Sequence, residues 1–431
     1  MVVRRKYVVF QTALFSFLFV ILLGGKLVEA EPPAYGWTYG GKSGDYARAL
    51  VQTGDDGYLI AGWTGSYGAG SEDAWLVKTD ANGNVQWNKT YGAGSMDEAY
   101  ALVQTADGGY VLAGLTASYG DGGADCWLLK ADAGGNAQWN KTYGGKDSDY
   151  ASALVQTSDG GYALAGATDS FGAGDYDFWL VKTDANGVEQ WNKTYGGAYA
   201  DQAYALVQTA DGGYALAGQT ESLGNGQPDF WLVKTDASGN LEWSKNYGGW
   251  WNDWANALVQ TDDGGFALAG WTAPSYATLQ DAWLVKTDAE GNMQWNETYG
   301  GANNEIANSL IRTGDGGFAL AGWTAPEGGA SNHDFWLVKT DANGVEQWNK
   351  TYGGASLDEA YALVQNSQGG YALTGFTVSF GAGYNDIWLV VTDASGVVSE
   401  FESGILLTAL MTTTALAVVL TRKKLRVLRR C

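Results

Sequence analysis

Aromatic and acidic side chains concentrate in one short segment of the chain, with the sequence GGWWNDW. Indole rings beside a carboxylate suit sugars, because aromatic rings stack on the apolar faces of sugars and acids accept hydrogen bonds from sugar hydroxyls. Packing of the rings between structural elements explains them equally well. The predicted ligand-binding residues, which include three tryptophans at one shared repeat position, are Trp250, Trp251, Trp254, Trp271, Trp63, Trp323 and Asp253.

A second set of acids recurs once in every copy of a long repeat. A ring of carboxylates could bind Ca²⁺ through oxygen ligands, although no DxDxDG-type calcium loop is present. The alternative, which we favour, is that each acid hydrogen-bonds its own loop or pairs with a repeated lysine, because a residue found in every repeat usually serves the repeat. The metal-binding candidates are Asp45, Asp97, Asp149, Asp201, Asp253, Glu305 and Asp358.

The inventory of catalytic side chains is small. The chain has one histidine, His333, and a Ser-His-Asp site would depend on it. A pair of carboxylates could act as the acid and base of a glycosidase, but nothing in the pattern singles out a pair. We therefore assign no catalytic residue and no cofactor other than the Ca²⁺ considered above, and we expect a protein that is not an enzyme.

The elements that carry these residues follow from a repeated tryptophan. It stands at positions 75, 127, 179, 231, 283, 336 and 388, at intervals of 52 or 53 residues. Each interval contains four short alternating apolar runs separated by turns such as ADGG and by a glycine-rich loop. Four strands in a unit of this length are the blade of a β-propeller. We name the strands a, b, c and d in chain order, and we expect the tryptophans of c and d to pack between blades.

The number of blades follows from the two ends of the repeat region. The segment YGWTYGG at residues 35–41 matches strand d, whereas the last unit has only a, b and c. One leading strand would complete the last blade and close the ring, which removes open sheet edges. The sequence therefore predicts an all-β, seven-bladed propeller of four-stranded antiparallel blades. The variable b–c and d–a loops share one face, where we expect binding.

The repeat resembles kelch-type propellers and the tandem propeller repeats of prokaryotic, and in particular archaeal, secreted or surface proteins. The sequence GYALAG precedes the aromatic pair Trp179 and Trp191, although the kelch double glycine falls at the a–b turn here. The segment TSDGGYAL at residues 157–164 also resembles the Asp-box turn of sialidases. The three convergent arginines of those enzymes and the Tyr–Cys–His cluster of kelch-type copper oxidases have no counterpart. The resemblance implies a fold and leaves the ligand open.

The two ends of the chain predict export and anchoring. Residues 1–30 read as a signal peptide, residues 31–400 as the propeller, residues 401–421 as a stem and transmembrane helix, and residues 422–431 as a basic cytoplasmic tail. The order of stem, apolar span and basic cluster also resembles surface proteins whose tails a sortase-like enzyme removes. We expect a single-pass cell-membrane protein with its propeller outside the cell.

Charge and short motifs complete the expectation. The net charge of −22 excludes nucleic acid as a partner, because phosphates require a basic surface. We expect a cell-envelope glycan or protein as the partner, with an extracellular glycoside hydrolase or lyase and a structural envelope component as alternatives. Strand d carries N-glycosylation sequons, and glycans attached there would lie on the rim of the propeller. The alternative is that these residues are polar only because strand d is an outer edge strand. These sequons are at Asn88, Asn140, Asn192, Asn296 and Asn349.

Overall fold

Seven four-stranded antiparallel sheets form a closed ring. The computed structural model describes residues 36–224, 227–273, 279–325 and 332–398. In that part of the chain, every sheet has the strand order a-b-c-d. Consecutive sheets contact one another, and strand a of the first blade contacts strands a and b of the seventh. The predicted seven-bladed propeller is confirmed.

The strands have nearly constant lengths and positions in every blade. Blades 1 to 4 comprise β2 (Asp45–Gln52), β3 (Tyr58–Thr64), β4 (Asp73–Thr79), β5 (Val85–Tyr91), β6 (Asp97–Gln104), β7 (Tyr110–Thr116), β8 (Asp125–Ala131), β9 (Ala137–Tyr143), β10 (Asp149–Gln156), β11 (Tyr162–Thr168), β12 (Asp177–Thr183), β13 (Glu189–Tyr195), β14 (Asp201–Gln208), β15 (Tyr214–Thr220), β16 (Asp229–Thr235) and β17 (Leu241–Tyr247). Blades 5 to 7 comprise β18 (Asp253–Gln260), β19 (Phe266–Thr272), β20 (Asp281–Thr287), β21 (Met293–Tyr299), β22 (Glu305–Arg312), β23 (Phe318–Thr324), β24 (Asp334–Thr340), β25 (Glu346–Tyr352), β26 (Asp358–Gln365), β27 (Tyr371–Thr377), β28 (Asp386–Thr392) and β1 (Trp37–Tyr39).

The leading strand completes the last blade. Strand β1 pairs antiparallel with β28, so that Thr38 lies opposite Trp388. The Tyr39 hydroxyl then donates a hydrogen bond of 2.8 Å to the carbonyl of Gly83 in blade 1. The d-strand tyrosine of every other blade makes the same bond to the c–d turn of the next blade, as Tyr195 does to Gly239 at 2.7 Å. The chain therefore closes its ring with the contact that joins all of its blades.

The tryptophans of strand c fill the space between blades, as predicted. Trp231 is 2% exposed, and its ring centroid lies 4.5 Å from that of Phe178 in the preceding blade. The strand-d tryptophans are only half-buried; Trp191, for example, packs against Tyr214 of the following blade. Cys126 is buried in the same kind of interface.

An ion pair at the a–b turn shows how closely the blades are matched. The Lys182 ammonium, buried in strand c, lies 2.8 Å from the carboxylate of Asp159 in the turn. In blade 7, Val391 replaces the lysine and Gln368 replaces the aspartate. Both partners changed together, because a buried lysine without its acid would be costly. The conserved scaffold thus accounts for these charges without a function.

The predicted signal peptide, transmembrane helix and basic tail lie outside the described residues, as does Tyr35. Among the residues that the structure describes, there is no helix with the length and hydropathy needed to cross a bilayer.

Candidate functional site

The centre of the ring contains a cavity of about 390 Å³. Strand a is the innermost strand of each blade and forms most of the cavity wall. The volume lies within the range of roughly 300–1,000 Å³ that is typical of small-molecule sites. We call the lining residues the channel wall, and they are Arg48, Tyr100, Leu115, Tyr150, Ser152, Tyr204, Trp254, Asn256, Asn308 and Tyr361.

A β-bulge aims one side chain of each strand a at the cavity. In blade 1, Ala47 pairs with Gly62 and Ala49 pairs with Ala61, so that Arg48 has no partner on strand b. A bulge of this kind redirects a side chain and often occurs beside functional sites. The glycine opposite is required, because a Cβ atom on Gly62 would lie 1.8 Å from a backbone oxygen of strand a. All seven blades repeat this arrangement.

Besides the second residue of the strand, the bulge position is the part of strand a that varies most between blades. The residues before and after it are alanine or serine in every blade, and the strand ends in a similar LVQ or LIR sequence. The bulge position itself holds a cation, an alcohol, two amides and three phenols. These residues are Arg48, Tyr100, Ser152, Tyr204, Asn256, Asn308 and Tyr361. All seven of these residues line the cavity, so variation at this position changes what the cavity can contact.

Aromatic rings form part of the wall and also lie behind it. Trp254 stacks on Tyr204 at a centroid distance of 6.1 Å and an angle of 17°, and Trp271 packs behind Trp254 at 5.6 Å. In blade 1, Tyr46 and Trp63 stack at 5.0 Å. The Trp254 indole nitrogen is buried and has no hydrogen-bond partner. The wall therefore offers flat apolar surface beside polar groups.

Two glutamates flank the cavity on the blades next to Arg48. The Glu359 carboxylate accepts a hydrogen bond of 2.7 Å from the Tyr361 hydroxyl and lies 2.9 Å from Nδ1 of His333. His333 in turn stacks on Trp323, with ring centroids 3.8 Å apart. The single histidine thus belongs to the surroundings of the channel, and its contacts within the described residues are Glu359 and Trp323.

The other glutamate, Glu98, is 7% exposed and accepts a hydrogen bond from the Tyr100 hydroxyl. Burial, together with hydrogen bonding and repulsion from Glu72, raises the pKa of Glu98 to about 7. The charged form is disfavoured because the carboxylate is removed from water beside a second acid. Near neutral pH, part of the population of Glu98 is therefore protonated.

We expect Glu98→Gln to stabilise the protein at alkaline pH. The pKa of Glu98 rises from an ordinary 4.5 to about 7 on folding, so the folded state binds an extra proton between these values. Stability is then lost as the pH rises, by on the order of 2 kcal/mol above pH 7. Glutamine removes this loss and still accepts a hydrogen bond. Thermal melting should show a gain at pH 8 that disappears at pH 4; an equal gain at both values would contradict the explanation.

The predicted ligand-binding residues separate into three groups. Trp254 lines the cavity. Trp250 is 74% exposed on the d–a loop and does not contribute to the channel wall. The remaining aromatic residues support the blades or the wall from behind: Trp63, Trp271 and Trp323 are less than 10% exposed, and Trp251 is half-buried. Most of these rings are buried, which fits the alternative that they pack between structural elements.

The acidic series that was considered for Ca²⁺ lies inside the blades. Asp45, Asp97, Asp149, Asp201, Asp253, Glu305 and Asp358 are at most 4% exposed. Each accepts a hydrogen bond from the backbone N–H four residues earlier, as Asp253 does from Gly249 at 2.9 Å. Burial raises the pKa of Asp253 to about 6. These contacts match the loop-capping alternative, and within the described residues no group of three or more His, Cys, Asp or Glu side chains is placed to hold a metal.

The five sequon asparagines are exposed on the outer strand of their blades: Asn88, Asn140, Asn192, Asn296 and Asn349. In four of them the side-chain oxygen also accepts a hydrogen bond from the strand-c tryptophan, as Asn296 does from Trp283 at 3.1 Å. Their accessibility fits both of the alternatives considered above, glycosylation and edge polarity.

Comparisons with known proteins leave the family open. No family model matches the chain, so the kelch-like resemblance stays a prediction. The regulatory protein FlaEY of Caulobacter vibrioides is 28% identical over 201 residues, which are 43% of this chain and only 20% of FlaEY. The WD40 domain of Pan2 from Neurospora crassa is 12% identical with a TM-score of 0.49, and the match covers 81% of this chain and 91% of the Pan2 domain. Sqt1 from Chaetomium thermophilum is 13% identical with a TM-score of 0.46, and the match covers 80% of this chain and 82% of Sqt1.

Proposed function

We propose that this protein is a non-enzymatic binding module that takes a glycan into its central channel from the loop face. One observation carries the proposal: within strand a, the seven blades differ mainly at two positions, and residues at both of these positions line the cavity. Rings such as Trp254 and Tyr204 supply stacking surface, and Asn256 and Ser152 supply polar groups at the same depth. Sugars need both kinds of contact.

The proposal includes the location of the protein at the cell surface. The repeat resembles those of kelch-like, prokaryotic surface proteins, and the apolar and basic ends of the chain support export and anchoring by one transmembrane helix. The sequons of strand d support glycosylation on the rim. The similarity to part of a regulatory protein supports a role in recognition. The partner would then be a glycan of the cell envelope, with an envelope protein as the competing ligand.

The test is a glycan array probed with the wild-type protein and two single variants. Trp254→Ala removes an indole from the channel wall, and Trp250→Ala removes one from the exposed loop as a matched control. We expect the first variant to lose binding by about tenfold or more, since one stacking ring contributes roughly 1–2 kcal/mol. The second should bind like the wild type, and thermal melting confirms that both are folded.

Three results would contradict this site. If the wild type binds no glycan, the structural envelope role is favoured. If Trp250→Ala alone reduces binding, the ligand lies on the loops and outside the channel. If a protein ligand is captured in place of every glycan and its binding survives Trp254→Ala, the channel is not the binding site.

A carbohydrate-active enzyme is the second candidate, and Glu98 is the observation that favours it. A buried carboxyl group that holds its proton near neutral pH, next to Glu72, has the property required of a general acid. Incubation with a polysaccharide library should then release reducing ends, and Glu98→Gln should abolish the release. Binding without turnover in the wild type would leave the first proposal in place.

A further inference from the structure

Arg48 is the one cationic residue among the seven bulge positions of the channel wall. The other six positions hold neutral side chains. Arginine costs more to bury than any of these, because its guanidinium is always charged and must lose water. The blade does not need this charge, since six blades fold around neutral residues in the same slot. The charge therefore requires an explanation outside the repeat.

The surroundings of Arg48 hold the guanidinium without neutralising it. Its central carbon lies 3.8 Å from the centre of the Tyr361 ring and 5.1 Å from that of Trp63, so two aromatic rings provide cation–π contacts. Its Nε atom is buried and has no hydrogen-bond partner. By contrast, Arg312 forms an ion pair with Asp262 on the surface. Among the described residues, Arg48 makes no such pair.

The neighbouring acids are engaged elsewhere. Glu98 accepts a hydrogen bond from Tyr100 and is paired with Glu72, which leaves it partly protonated at neutral pH. Glu359 is held by Tyr361 and by His333. These glutamates moderate the positive potential of the channel, but neither forms the two-pronged contact that a guanidinium makes with a carboxylate. Arg48 is thus a fixed cation on the wall of an aromatic cavity.

We propose that the channel selects a saccharide that carries a carboxylate, such as a uronic acid, and that Arg48 binds this carboxylate. The inference rests on the proposed glycan-binding function and names its substrate class. An acid on Arg48 would bring a sugar ring among Tyr100, Tyr204 and Trp254, which line the same cavity. The cavity of about 390 Å³ suits one or two sugar rings, and a folded segment of another protein would not fit.

The experiment compares three probes by calorimetry on the intact protein: oligogalacturonate, its methyl ester, and an acidic peptide of similar charge. The ester keeps the sugar rings and removes the negative charge. We expect the wild type to bind the acid about tenfold or more tightly than the ester, since charge-assisted hydrogen bonds to arginine are strong. Added salt should weaken only the binding of the acid.

Two substitutions test the role of Arg48. Arg48→Met keeps a long apolar stem, which limits the loss of packing, and we expect it to bind acid and ester with equal, ester-like affinity. Arg48→Lys keeps the charge without the planar fork and should retain part of the preference. Melting temperatures close to that of the wild type confirm that neither variant has unfolded.

The outcomes separate this inference from the function on which it rests. Equal affinity of the wild type for acid and ester, lost in Trp254→Ala, would overturn the acid selectivity and keep glycan binding. An undiminished preference in Arg48→Met would overturn the role of Arg48. Stronger binding of the peptide than of oligogalacturonate would overturn the saccharide class, and binding of no probe would count against both proposals.

Discussion

Replacing the aromatic residues of the closing strand, Trp37→Ala with Tyr39→Ala, should open the ring. Within the described residues, strand β1 pairs with blade 7 through three pairs of residues opposite β28, and its side chains pack against the same core. Trp37 covers the glycine of the first c–d turn, and Tyr39 donates its hydroxyl to the carbonyl of that glycine. Truncating large buried aromatic side chains costs about 3–5 kcal/mol each, a large part of the stability of a domain.

The same pair of changes within an internal blade is the matched control. Trp191→Ala with Tyr195→Ala removes equivalent contacts between blades 3 and 4, but strand β13 remains tied to its blade by a turn. Hydrogen exchange should show early loss of protection in β26–β28 only for the closing-strand variant. Equal protection of those strands in both variants would show that β1 does not close the ring.

Trp231→Ala is expected to destabilise the protein strongly while leaving the channel wall unchanged. The ring is 2% exposed and packs on Phe178 of blade 3 and on alanines that leave room for it. Those alanines cannot fill the space left by an indole, so a cavity should remain. We expect a loss of about 3–5 kcal/mol, measured as a lower denaturant midpoint with little change in slope.

Trp250→Ala provides the comparison for this prediction. Trp250 is 74% exposed, so its truncation should change stability by no more than about 0.5 kcal/mol. A similar loss in both variants would mean that the strand-c tryptophans do not pack between blades. Thermal melting can be run on the same samples that are used in the glycan array.

The blade architecture could be predicted from the sequence because each rule was repeated seven times. The spacing of Trp75 and its copies, the turn sequences and the incomplete last unit together determine the strands, the blade count and the closure. The burial of strand c and the exposure of strand d follow from their composition. Agreement between local pattern and overall topology is what makes a repeat fold predictable.

The site was predicted less well, for a physical reason. Trp63 and Trp271 were predicted to bind a ligand, but they lie near the end of strand b and are covered by strand a of their own and neighbouring blades. The bulge that turns Arg48 into the channel depends on pairing between strands, which alternation along one strand does not reveal. Aligning the seven units would have exposed the variable fourth position of strand a.

The bulges also affect how this molecule could change its ligand. Because Ser152 has no partner on strand b and its side chain lines the cavity, exchanging it for another polar residue should leave folding almost untouched. Different combinations of residues at the seven bulge positions would give different cavity linings, so duplicated genes could diverge in ligand preference by single codon changes. The same property makes the propeller a suitable starting point for engineering receptors for chosen sugars.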